Sequence, residues 1–454
     1  MKLAPIRSAL DGGVPAALAT CSADGTPNVT SVWQVHYVDD EHVALAFQFF
    51  NKTRDNLAQN PEASVLFIDP ITGGRYRLGL RFDHTVTDGA LFQSMRAKVA
   101  GVASHTGMGG VFELRGADIF QVLDVERVTG PSLAPVPVQS NRLAATREMV
   151  RRLAGVADLS QALDTTLDGL GELFGMRHAL LLCVDETGQW LYTVASRGYE
   201  ESGVGSEVMI GEGIIGTAAQ YRTPVRLSCL SADYSYGRAM RAQAVKDGLI
   251  AVDTGIPFPG LAEPQSQLAV PIAAGDWLAG VLYVESGEQR RFDFEDEDAL
   301  AIVAAQLGLA MRLLIQPADA APAPQETAPQ PKAPASGQPI LIRYFATTQS
   351  VFLDDDYLIK GVAGAVLWLL LNDYQQAGRT DFTNRELRLD GRLRLPEIDD
   401  NLETRLILLQ RRLGERCQWL GFEKIGRGRF RLRVDRPVKL HDVEHDAAAG
   451  REAA

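Results

Sequence analysis

Between Arg405 and Arg436 the chain holds ten lysines and arginines against three acids, a local charge of +7 in a protein of net charge −12. Two patterns fill that span. In LETRLILLQRRLGER, Leu402, Leu406, Leu409 and Leu413 recur on one side of a helix, with Arg405, Arg411, Arg412 and Arg416 along its flank. In EKIGRGRFRLRV (Glu423–Val434), Ile425, Phe430, Leu432 and Val434 are expected to point inward. Arg429, Arg431 and Arg433 then point outward at period two, beside a tight turn at Gly426-Arg427-Gly428. A basic helix followed by a basic hairpin can set one row of cations along each side of a phosphate backbone, the main source of nonspecific DNA affinity. A surface strand with merely solvated arginines has the same pattern, and Asp399, Asp400 and Glu403 at the helix start would repel phosphates.

Other reactive residue types are dispersed. Cys21, Cys183, Cys229 and Cys417 form no CxxC pair, and the seven histidines form no HxH or HExxH cluster. Neither a disulfide framework nor a metal centre is expected. His36, His84 and His105 read as hydrogen-bonded structural residues, and no catalytic residue is assigned. The glycines of GEGIIG lack the P-loop lysine and the GxGxxG spacing, so they read as a tight turn rather than a phosphate cradle.

The elements that must position these residues fall into three folded units, in keeping with a length of 454 residues. Thr129 to Gln139 is a proline-interrupted boundary, and residues 316–339 form a proline- and alanine-rich linker. The units span 1–128, 141–315 and 340–437, followed by a disordered tail over 438–454. The first reads as an antiparallel barrel of strands with one short helix, NKTRDNLAQNP. ASHTGMGGVFEL, with Gly107, Gly109 and Gly110, reads as a mobile loop that could cover a ligand. The second unit opens with helices broken near Gly155, alternates strand and turn, and closes on FEDEDALAIVAAQLGLAMRLL, acidic at its start with Arg312 near its end. In the third, Thr383 and Glu386 form a capping box on a short helix. No apolar run of about 18 residues and no signal-peptide core is apparent, so a cytoplasmic chain without a membrane span is expected.

Three resemblances add to this reading. DGTPNVTSVWQVHYVDDEHVALAF and AFQFFNKTRDNLAQNPEASVLFID resemble the flavin-binding split barrel of the pyridoxamine 5′-phosphate oxidase-like family. That resemblance implies FMN as cofactor, its phosphate held at the helix start by Asn51, Lys52 and Thr53. The arginine and lysine that true oxidases carry on the earlier strand are replaced here by TSVWQVH, and the basic position in the helix is shifted by one. GEGIIGTAAQYRTPVRLSC, SQLAVPIAAGDWLAGVLYVES and FDFEDEDALAIVAAQLGLAM resemble a GAF domain. This implies an unidentified small ligand beneath the loop after the glycines, with Cys229, Tyr234, Tyr236, Arg238 and Arg241 as candidate ligand-sensing residues. Cys229 also reads as a small buried residue beside a strand, and the helices at 141–154 and 294–315 could pair across a dimer.

Residues 350–435 resemble the winged-helix output domain of response-regulator transcription factors. By that resemblance Arg405, Arg411 and Arg412 face DNA, and Arg427 and Arg429 are wing contacts. The expected fold class is therefore multidomain α+β: an antiparallel split β-barrel, a GAF α/β sandwich and a C-terminal winged helix-turn-helix. The expected function is a cytoplasmic, homodimeric, ligand- or redox-responsive transcriptional regulator with double-stranded DNA as partner. The alternatives are a flavin-dependent oxidoreductase with regulatory domains, and a scaffold whose basic domain holds an acidic partner.

Overall fold

The computed structural model describes residues 2–10, 15–32, 35–47, 52–70, 72–105, 114–133, 141–227, 256–315, 338–393, 395, 401–426 and 428–443. In the first unit a 3-10 turn (Ala4–Leu10) precedes strands β1 (Ala16–Cys21), β2 (Pro27–Val32), β3 (Val35–Tyr37) and β4 (His42–Phe47). Helix α1 (Lys52–Gln59), β5 (Glu62–Ile68), β6 (Arg75–Val86), helix α2 (Gly89–His105) and β7 (Gly116–Val128) follow. The strands form one antiparallel sheet in the order β2-β1-β5-β6-β7-β4-β3, a curled half-barrel around Leu18, Val43, Leu45, Val65, Phe67, Leu78, Leu80 and Phe120. The loop expected over residues 106–113 lies outside the described residues.

Helix α2 is an element that the sequence reading did not anticipate. Its Ala97 sits in the apolar cluster of the second unit with Leu180, Ala218 and Val225, and the Arg96 guanidinium lies 4.5 Å from the Tyr221 ring. The helix therefore joins the first unit to the second.

The second unit comprises α3 (Arg142–Ala154), α4 (Leu159–Phe174), β8 (His178–Val184), β9 (Trp190–Arg197), β10 (Glu207–Met209), α5 (Gly213–Tyr221), β11 (Val225–Leu227), β12 (Ser266–Ala274), β13 (Trp277–Ser286) and α6 (Phe294–Ile315). Among the described residues its strands form one sheet in the order β10-β9-β8-β13-β12-β11. Asn141 and Asp158 cap α3 and α4, and Gly175 ends α4 in the left-handed conformation, as short polar residues and glycine do. Arg142 ties the start of α3 to that of α6 through Asp293, Glu295 and Asp296. By length and composition α6 could cross a membrane, but its buried residues, Leu300, Val303, Ala304 and Leu307, belong to the unit's core.

Beside β8 the chain passes so closely that a Cβ on Gly280 would meet the Leu182 carbonyl oxygen at 1.8 Å. Gly280→Val is thus expected to cost at least about 3 kcal/mol of stability by chemical denaturation. Gly414→Ala, on an open helical position, is expected to gain about 0.5–1 kcal/mol.

The third unit runs β14 (Ile340–Phe345), β15 (Ser350–Leu353), β16 (Asp356–Ile359), α7 (Gly361–Ala377), β17 (Asp381–Thr383), α8 (Asn384–Leu389), α9 (Leu402–Arg416), β18 (Leu420–Gly426), β19 (Arg429–Val434) and β20 (Val438–Asp442). Among the described residues three helices are flanked by a four-stranded sheet, β16-β15-β14-β20, and a three-stranded one, β17-β19-β18. The Thr383–Glu386 capping box forms as expected. Phe430, Leu432 and Val434 are buried and the arginines between them are not. Two expectations are corrected. Ile425 is 39% exposed, because a register shift between Lys424 and Gly426 turns it outward. Residues 438–442, expected in the tail, form a strand parallel to β14, their backbone pairing with Ile340 through Tyr344. The linker segment 316–337 and residues 444–454 lie outside the described residues.

Candidate functional site

At the start of α1, Thr53 is buried and its Oγ1 accepts a hydrogen bond from Asn28 Nδ2 at 2.9 Å, while Asn56 Nδ2 donates to Thr20 Oγ1 at 3.1 Å. Lys52 is exposed beside them, and Asn51 lies outside the described residues. The Thr53 oxygen already accepts, so its proton can be donated outward. Lys52, that hydroxyl and the first amides of α1 form a donor set suited to a phosphate. Arg54, the shifted basic position, turns to Thr85 Oγ1 (3.3 Å) and Asp118 (3.5 Å) instead. Burial pushes the Asp118 carboxyl up, against the Thr85 hydrogen bond and the Arg54 charge.

Where the first and second units meet, a cavity of about 90 Å³ is lined by Arg7, His36, Tyr37, Lys98, Arg226 and Glu297 among others. Arg226, 4% exposed at its side chain, donates from Nε to Glu297 Oε2 at 2.8 Å. Burial works against ionised Glu297, but Lys98, Arg226 and Arg7 outweigh it and hold the carboxyl below its ordinary value. Burial, with Lys98 adding, pulls His36 down to about 3, so it is neutral at physiological pH. His84 is exposed and faces Asp83, and the His105 side chain lies outside the described residues.

In the second unit the expected ligand-sensing residues, Cys229, Tyr234, Tyr236, Arg238 and Arg241, also lie outside the described residues. Burial pushes the Cys183 thiol up to about 12 and that of Cys417 up to about 11, so neither is a thiolate near neutrality. The described residues hold a polar cluster that the sequence reading missed. Buried Glu285 accepts from Leu261 N (2.8 Å), the Tyr283 hydroxyl (3.0 Å) and Gln267 Nε2 (3.5 Å). Gln267 Oε1 has no hydrogen-bond partner, and burial with nearby Glu285 raises the Tyr199 phenol. The signal was an acid inside the apolar run VLYVES. Among the described residues no group of three or more His, Cys, Asp or Glu could hold a metal ion.

The basic helix α9 departs most from expectation. Arg405, expected on a DNA-facing surface, has a side chain only 8% exposed. Its guanidinium lies 3.7 Å from the Tyr192 ring and donates to Glu186 Oε2 at 2.5 Å. Arg411 bonds Asp164 at 3.0 Å and the Val194 carbonyl at 3.3 Å, and burial pulls its ionisation down. Arg412 is buried within its own unit, donating to the Leu358 carbonyl at 3.0 Å and to Glu415. None of the three faces solvent as a row. For Arg405 and Arg411 the reason is charge complementarity: the acids that answer them lie more than 200 residues upstream, on α4 and in the turn after β8. Arg431 and Arg433 are paired with Asp381 and Asp435. Arg429 is half-buried and Arg385 and Arg416 are exposed; Arg427 lies outside the described residues.

Residues 6–123 match the family described as Pyridoxamine 5′-phosphate oxidase, and residues 156–312 match the GAF domain. The chain carries a split barrel followed by a GAF domain. The GAF domain of the Acinetobacter phosphoenolpyruvate-protein phosphotransferase is similar at 23% identity over 38% of this chain and 93% of that one, with a TM-score of 0.30. The corresponding domain from Coxiella burnetii gives 20% identity, 38% and 94% coverage, and 0.29. An FMN-binding protein from Syntrophomonas wolfei subsp. wolfei gives 15%, 28% and 86%, and 0.24. No curated protein matches the sequence. In these terms α2 is a split-barrel helix laid on the GAF domain, and α9 packs its cations against that domain's other side.

Proposed function

We propose that this chain is a ligand- or redox-responsive transcriptional regulator. The split barrel and the GAF domain sense, and the third unit, of winged helix-turn-helix type, binds double-stranded DNA. The observation that carries the reading is the position of α9. Leu402, Leu409 and Leu413 of that helix are fully buried in the third unit, while Thr404 meets Tyr192 of the GAF sheet, hydroxyl to hydroxyl, at 2.7 Å. A change in the GAF domain is therefore felt directly by the helix between α8 and the hairpin. With Arg405, Arg411 and Arg412 engaged elsewhere, half-buried Arg429 and exposed Arg385 are assigned to DNA in this arrangement, together with Arg427, which lies outside the described residues. Asn384, the neighbour of Arg385, donates its amide to the Gly428 carbonyl at the hairpin turn. The reading includes a homodimer in the cytoplasm, with exposed Leu143, Ile302, Leu309 and Leu313 on α3 and α6 as its contact face.

Lys52, Thr53 and Asn51 would hold the phosphate of FMN, which would supply the barrel with redox chemistry. Two measurements on the purified full chain test this. Its absorption spectrum is expected to show bound flavin, with Thr53→Val raising the FMN Kd about tenfold through the lost hydroxyl. Steady oxidation of a reductant by that flavin would instead favour an oxidoreductase. Retention on duplex DNA is expected to be measurable, to weaken with salt and to vanish on combining Arg385→Glu with Arg429→Glu. Flavin-free protein whose thermal stability is unmoved by FMN contradicts the cofactor, and salt-independent retention contradicts the output.

A further inference from the structure

Four residues of α9, Thr404, Arg405, Leu408 and Arg411, stand at spacings of one, four and seven, so they share the helix face turned away from the third unit's own core. Every one of them is on the GAF domain. Thr404 meets Tyr192, Arg405 meets Glu186 and the Tyr192 ring, and Arg411 meets Asp164. Leu408 lies against Gly205, where an added Cβ would be 3.9 Å from its Cδ1. Just ahead of the helix, Asn401 Nδ2 donates to the Val184 carbonyl at 2.8 Å. Two further cations of the third unit reach the same domain, Lys424 to Asp158 at 2.5 Å and Lys360 to Glu207 at 2.7 Å. Four carboxylates of the GAF domain thus stand against four cations of the third unit.

We infer that this face of α9 has two mutually exclusive partners, the GAF domain of the same chain and duplex DNA, and that the docked arrangement is the closed state of the output. The inference rests on the DNA-binding reading above. One helix face cannot lie against a protein sheet and inside a groove at once. Beside the apolar contact of Leu408, the docking carries polar and charged contacts, of which Lys424–Asp158, Lys360–Glu207 and Arg411–Asp164 are open to solvent on at least one side. It also leaves a defect: Arg405 Nε is buried without a hydrogen-bond partner. A guanidinium nitrogen left unbonded weakens the closed state, and such an interface can yield to a competing polyanion.

The experiment uses the full chain with Glu186→Gln and Asp164→Asn, alone and together. Both changes are on the GAF side, so the cations remain. Neither residue is buried, and Arg197 keeps Asp168 when Asp164 is neutralised. Solution scattering reads release of the third unit, and retention on duplex DNA across a salt series reads affinity. The expected result is an enlarged radius of gyration in the double variant, with DNA bound at least about tenfold more tightly than by the parent chain. Equal DNA affinity of parent and released double variant would overturn the competition while leaving the DNA-binding reading intact. A released third unit with no salt-sensitive retention would overturn the DNA-binding reading itself. A double variant that stays compact with unchanged affinity would show that the Arg405–Glu186 and Arg411–Asp164 pairs do not hold the domain, and would overturn the closed-state assignment.

Discussion

Arg405→Glu is expected to detach the third unit from the GAF domain while both remain folded. The arginine is almost entirely enclosed, with a carboxylate on one side and the π face of Tyr192 on the other. Both surroundings favour a cation. A glutamate there faces Glu186 at close range and presents negative charge to the negative face of the ring. Breaking a buried pair by removing one partner typically costs about 3–5 kcal/mol. Like charges add to that, and the third unit keeps its own core because Leu402, Leu409 and Leu413 are untouched. Solution scattering should show a larger radius of gyration, with far-ultraviolet circular dichroism unchanged. A scattering profile identical to that of the parent protein would be the contrary outcome.

The second large effect lies at the opposite side of the GAF domain. Arg226→Leu should destabilise the chain by about 3–5 kcal/mol at neutral pH, because Glu297 is left buried with its nearest cation gone. The pH dependence follows from the direction of the shift. In the parent chain the folded Glu297 carboxyl is held below its unfolded value of 4.5. Its stabilising contribution is therefore complete above that value and fades as pH falls through the lower folded one. Without Arg226, burial is opposed by Lys98 and Arg7, and the carboxyl takes up a proton at higher pH than before. Titratable and charged groups facing it are Lys98 from α2, Arg7 from the N-terminal turn and the neutral His36. The stability gap between parent and variant should accordingly narrow from pH 7 to pH 5 in urea unfolding. A gap below about 1 kcal/mol at pH 7 would contradict the assigned role of the pair.

How much of this could be read in advance depended on the range of the interaction. Contacts between near neighbours were legible: the Thr383–Glu386 box, the break at Gly155 and the inward Phe430, Leu432 and Val434 all follow from spacing alone. The leucine stripe of α9 also lies where its period places it. Helix α2 was not legible, because GALFQSMRAKVAGVASH is packed by the barrel on one side and the GAF domain on another, which blurs any single apolar face. Ile425 was misplaced by one bulge, which turns that residue outward while Phe430, Leu432 and Val434 beyond the turn keep the expected face. The basic residues were the largest misreading. Their density was plain, but a cation's partner is set by tertiary proximity, and Glu186 and Asp164 are too distant in sequence to be associated with Arg405 and Arg411 by inspection. In the barrel, the helix lies within the expected NKTRDNLAQNP, from Lys52 to Gln59, yet Asn28, which bonds the Thr53 hydroxyl, carries no signal in sequence.

The closed-state assignment depends on Arg405 and Glu186 being coupled across the two domains. A double-mutant cycle with Arg405→Met and Glu186→Gln, measured by urea unfolding of the full chain, gives that coupling directly. The account predicts an interaction free energy of about 1.5 kcal/mol or more; a value within about 0.5 kcal/mol of zero, the ordinary additivity of independent sites, would contradict it.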